Sequence, residues 1–204
     1  MMKKIVVALA MVPVLARADL ATGTFELSGN TNLGFTSGSQ KDKTDAGSTT
    51  TDSTAYGLST AGLYYVIPNL GVGLRLAFGS STTKSNGVKT EGTSFLVGPA
   101  ISYEVPVAPQ LAVFGLGAFG YVSDETKISG SGTSLDGSVT STGYGANVDV
   151  GVKYFLVKNF SFNAAIGYEY FSVEDNRTPK GTTTRSDFGL NLGLSVYFGG
   201  GAGH

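Results

Sequence analysis

Between residues 183 and 198 the chain alternates strictly. Phe188, Leu190, Leu192, Leu194, Val196 and Phe198 share one parity, and Gly189, Asn191, Gly193, Ser195 and Tyr197 the other. A period of two is the mark of a β-strand with one apolar face. The pattern recurs upstream and predicts strands over residues 22–38, 53–67, 71–81, 90–105, 111–124, 140–156 and 160–173. In the first, Phe25, Leu27, Leu33 and Phe35 oppose Glu26, Ser28 and Asn30. In the third, Val72, Leu74, Leu76 and Phe78 oppose Gly73, Arg75, Ala77 and Gly79. Phe95, Val97, Ile101 and Tyr103 set the outward face of the fourth, where Pro99 predicts a bulge or an irregular ladder. Residues 53–67 and 111–124 carry apolar side chains on both parities, which leaves their facing open.

Connections alternate in length. Short turns are predicted at Pro68-Asn69, residues 106–110 and residues 157–159. Polar stretches fill residues 39–52, the segment around Asn86-Gly87, residues 125–139 and residues 174–182. The stretch 39–52 mixes charges without periodicity and is expected to be a mobile loop. With no helix predicted to cover so many apolar faces, they are best satisfied by lipid. The expected fold is therefore all-β: an eight-stranded antiparallel up-and-down transmembrane β-barrel. The aromatics agree. Phe25, Tyr64, Tyr103, Tyr154, Phe160, Phe162 and Phe198 fall near the short-turn ends of the strands. Phe35, Tyr56, Phe78, Tyr121, Tyr144, Tyr168, Tyr170 and Phe188 fall near the long-connection ends. Two aromatic girdles around an aliphatic band mark two membrane interfaces.

The leader sharpens the location. Lys3 and Lys4 precede an apolar run that ends at Ala16-Arg17-Ala18, the layout of a bacterial export signal cleaved after Ala18. Three segments follow: residues 1–18 as signal peptide, 19–198 as barrel and 199–204 as a short Gly-rich tail. The formal net charge of −1 becomes −4 once Lys3, Lys4 and Arg17 leave, which argues against nucleic acid as a partner. The chain has no cysteine, so stability is expected from the sheet alone. Small residues, 30 of them glycine, interleave with the strands and suit a narrow lumen.

In strand pattern, girdles, loop alternation and closing strand, the stretch 22–198 resembles the small eight-stranded outer-membrane barrels of Gram-negative bacteria, the family of the OmpA transmembrane domain and OmpX. The resemblance implies a cell outer-membrane location, with membrane lipid and the outer-membrane assembly machinery as partners. It also implies that Leu192, Leu194, Val196 and Phe198 form the assembly signal. The tail 199–204 departs from the family pattern, in which the aromatic is terminal.

Parity aims Glu26, Arg75, Glu104, Asp149, Lys153 and Glu169 into a lumen wide enough only for side chains. Counted from the strand ends, Glu26, Arg75, Glu104 and Lys153 share a depth near the short turns, close enough to pair. No catalytic, cofactor or metal site is expected. Gly115, Gly117 and Gly120 spell G-x-G-x-x-G but lie within a strand and open no helix. The single histidine, His204, is the last residue, which tells against a Ser-His-Asp hydrolase. Asp42, Asp45 and Asp52 fit no calcium-loop spacing. The expected role is structural or surface-interactive, through external loops that meet a surface ligand. Two alternatives stand beside it: a narrow pore for ions or small solutes, and a periplasmic lipocalin-like carrier of an apolar ligand, which needs the parities inverted.

Overall fold

In the computed structural model of the chain, the described residues are 20–32, 38–44, 47–85, 88–130, 137–175 and 182–199; at 32, 38–44, 47–53 and 175 the backbone alone is described. The leader 1–18, the turn Asn86-Gly87 and the tail beyond Gly199 lie outside them. The strands are β1 (Thr24–Asn32), β2 (Gly38–Thr44), β3 (Gly47–Ile67), β4 (Leu70–Ser85), β5 (Val88–Ala108), β6 (Leu111–Gly130), β7 (Gly137–Val157), β8 (Phe160–Asp175) and β9 (Thr182–Gly199). Both β1 and β2 pair with β3, at different heights along it, so together they make one stave. Eight antiparallel staves close through the β1–β9 and β1–β3 ladders. Closure leaves no unpaired edge in lipid.

The facing follows the chemistry. Leu74, Val150 and Ile166 are exposed on the outside between rings of exposed aromatics. Ring contacts cluster at the two ends of this band, Phe25–Phe198 at one and Tyr56–Phe78, Phe119–Tyr144 and Tyr168–Phe188 at the other. This outward apolar face overturns the lipocalin-like alternative, which needs the same residues inside. The open facings are now set: β3 turns Ala61, Leu63 and Tyr65 inward, and β6 turns Ala112, Phe114, Leu116, Ala118 and Val122 inward. Both strands read as apolar on both faces because the lumen is itself partly apolar.

Two expectations are corrected. Residues 39–52 are not a loop throughout: a ladder runs from Gly38↔Ser53 to Thr44↔Gly47. Strand likewise continues into the other long connections, as in Lys84↔Lys89, Lys127↔Ser138 and Glu174↔Thr182. Apolar alternation marks a strand only where one face meets lipid. Past the girdle both faces are polar, and Thr-rich segments pair without leaving that mark.

At Pro99 the ladder is irregular but carries no bulge. Its β5–β6 pairs lapse between Val97↔Tyr121 and Ala100↔Ala118 and resume in the same register. There Gly98 and Gly120 bring two backbones together, since a Cβ on Gly98 would lie 2.0 Å from the Phe119 carbonyl oxygen. The register shifts sit elsewhere, at Tyr65/Ile67, Pro106/Ala108 and Phe155/Val157, each just before a two-residue turn. In each turn the second residue anchors the strand that follows its own hairpin. The carbonyls of Asn69, Gln110 and Asn159 accept the backbone N–H groups of Glu104, Phe155 and Tyr197 at 2.9, 2.8 and 3.0 Å. Asn69, in the left-handed region at φ 64°, also exchanges two hydrogen bonds with the backbone of Leu20, tucking the start of the barrel under its base.

Candidate functional site in the barrel lumen

At the short-turn end the lumen begins with an aromatic floor. Tyr65, Phe155 and Tyr197 are almost fully buried, and the Phe155 and Tyr197 rings lie 5.4 Å apart. Each belongs to a doublet, Tyr64-Tyr65, Tyr154-Phe155 or Tyr197-Phe198, in which the other ring is exposed at the girdle. Alternation makes the split unavoidable: neighbouring residues on a strand face opposite sides. Sequence reasoning left Tyr65 and Phe155 unassigned, and the aromatic pairs Tyr64-Tyr65 and Tyr154-Phe155 just before two of the short turns were the available signal.

Above the floor lies the first ionic layer. Lys153 Nζ donates to Glu26 Oε1 at 2.6 Å and to Glu104 Oε1 at 2.5 Å. The Tyr65 hydroxyl sits between the same two carboxylates, and Ser195 Oγ donates to Glu26 Oε1 at 2.6 Å. Phe114 and Tyr197 offer their rings to the ammonium at 5.1 and 5.7 Å. Strands from around the ring supply this layer, so it ties the barrel across its bore. All three charged side chains are buried, and an ammonium held by two acids and two rings offsets much of its desolvation.

The second layer is Arg75, whose Nη1 donates to Asp149 Oδ2 at 2.5 Å and Nη2 to Ser59 Oγ at 3.3 Å. Asn191 Nδ2 donates to the other carboxylate oxygen of Asp149 at 2.9 Å. Arg75 thus does not join Glu26, Glu104 and Lys153, contrary to the shared depth expected of the four. Its backbone pairs with Ala61, but its head group reaches Ser59, which pairs two residues nearer the hairpin end. Counting Cα positions misses the reach of a guanidinium. Between the layers a void of about 10 Å³ remains. That is room for one water at most.

Beyond Arg75 the lumen widens into a vestibule of about 230 Å³ at the hairpin end. Glu169 stands in its wall, with Asp124, Arg185 and Asp187, and forms no ion pair among the described residues. The candidate assembly residues lie on the opposite face of the wall. Leu192, Leu194 and Phe198 are exposed there and Val196 is partly so. Among the described residues no group of three or more His, Cys, Asp or Glu is placed to hold a metal ion.

A closed antiparallel ring, apolar outside, girdled by aromatics and polar within, defines an integral β-barrel of the outer membrane. The chain belongs to the outer membrane protein beta-barrel domain family, whose model matches residues 5–198. Among solved structures it is similar in fold to a major outer membrane protein from Thermus thermophilus, at TM-score 0.53 and 14% identity over 89% of this chain and 100% of that one. OprG from Pseudomonas aeruginosa is similar at TM-score 0.50 and 15% identity, over 88% and 97% of the two chains. Neisserial surface protein A matches at TM-score 0.49 and 18% identity, over 87% and 98%. At such identities the likeness to the first two speaks for the fold alone. No curated protein matches the chain.

Proposed function

We propose that this protein is a plugged, non-catalytic surface protein of the outer membrane, whose paired hairpins meet a surface ligand outside the cell. In this reading the short turns face the periplasm, residues 1–18 are the export signal removed after Ala18, and the lipid-facing run Leu192, Leu194, Val196 and Phe198 is what the assembly machinery reads. The observation that carries it is the double seal of the lumen. Lys153 with Glu26 and Glu104 closes one level, Arg75 with Asp149 closes the next, and about 10 Å³ lies between them. Buried ionic side chains so placed give no hydrated path.

Single-channel recording of the refolded barrel in a planar bilayer, beside Arg75→Ala, tests this. Silence is expected from both, because removing the Arg75 layer leaves the Lys153 layer intact. Steady openings in the wild type, altered in Arg75→Ala, would sink the plugged reading in favour of the narrow pore.

A further inference from the structure

The vestibule is large enough for a ligand: its volume of about 230 Å³ exceeds the roughly 150 Å³ of an apolar cavity that takes up benzene. Two kinds of surface line it. One is apolar, where Leu96 and Val122 form a buried cluster with Ala77 and Phe171 packed against it. The other is charged and unbalanced. Asp124, Glu169 and Asp187 in the wall and Asp149 behind the floor supply four carboxylates against two guanidiniums, Arg75 and Arg185.

Both guanidiniums are engaged, Arg75 by Asp149 at 2.5 Å and Arg185 by Asp187. Asp124 and Glu169 keep no ion pair among the described residues. Moreover, Asp124 Oδ1 is closed off with no hydrogen-bond partner, as is Nε of the almost fully buried Arg75 in the floor. Two carboxylates in excess of the cations favour a positively charged guest. A bare metal ion would leave the apolar wall unused.

We propose that the vestibule binds a small organic cation: a primary ammonium on an apolar body about the size of a benzene ring. The ammonium lies between Asp124 and Glu169, and the body rests on Leu96, Val122 and Phe171. Because the floor is sealed, this is a terminal site and not a step in a passage.

The full barrel, refolded in micelles, is titrated with benzylammonium and separately with benzyl alcohol while the methyl NMR signals of Leu96 and Val122 are followed. Saturable shifts are expected with benzylammonium, with affinity about tenfold weaker for the alcohol, and weaker by a similar factor in Asp124→Asn/Glu169→Gln. Heat-modifiable migration on gels reports that the variant is folded, and either single substitution serves if the pair is not. Equal saturation by the ammonium and the alcohol, or saturation unchanged in the folded variant, would mean partition of the probe into the micelle and overturn the proposal. Absence of saturable shifts in the wild type, or equally tight binding of potassium or calcium at the same methyls, would overturn it too.

Discussion

Lys153 is the residue on which the inner seal turns, since one ammonium holds two carboxylates from strands on different sides of the bore. Replacing it with methionine leaves Glu26 and Glu104 facing each other without a cation. Lys153→Met is expected to cost about 3–5 kcal/mol, read as the urea midpoint of the barrel in lipid vesicles. Adding Glu26→Gln and Glu104→Gln in the same chain is expected to recover most of that loss. If the triple variant is no more stable than Lys153→Met, repulsion between stranded charges is not the cause. At this scale the inward parity of Glu26, Glu104 and Lys153 was readable, because alternation on β1, β5 and β7 is clean. The partner of Arg75 was not. Pairing depends on how the sheet closes and on how far each side chain reaches, and Arg75 shows both effects by crossing to Asp149.

Among the strands, β9 combines the clearest alternation with the largest number of duties. It closes the ring against β1, offers Asn191 and Ser195 to the two ionic layers, and carries Leu192, Leu194 and Phe198 on the lipid face. If that face is the assembly signal, Phe198→Ala is expected to reduce the folded barrel recovered from the outer membrane several-fold. The same variant is expected to refold in detergent as well as the wild type, since Phe198 is half exposed and its ring meets Phe25 at 6.4 Å. Equal loss in cells and in detergent would reduce Phe198 to a stabilising girdle residue. The membrane portion of most strands was legible from period two, residues 53–67 and 111–124 being apolar on both parities, but the extensions past the girdle were not. There the sequence has Ser, Thr and charge on both faces, and pairing in water needs no apolar stripe.

For the whole molecule, orientation is the property most open to a direct measurement. The chain has no cysteine, so a single introduced thiol reports one place. With Lys127→Cys at the hairpin end and Lys158→Cys in a short turn, a membrane-impermeant maleimide added to intact cells is expected to label only the first. Labelling of the second alone would invert the topology and move the vestibule to the periplasmic side. The two ends also differ in how they can fail. At the base, each two-residue turn is fastened through its carbonyl to the strand that follows, and Leu20 is fastened to the first turn. Those contacts form a hoop, so no hairpin can leave the base without releasing the one beside it. The opposite end has no such hoop among the described residues and can fray one hairpin at a time. The barrel is therefore built like a cup on a riveted foot: its rim can yield to whatever it meets while its base opens only when the whole vessel does.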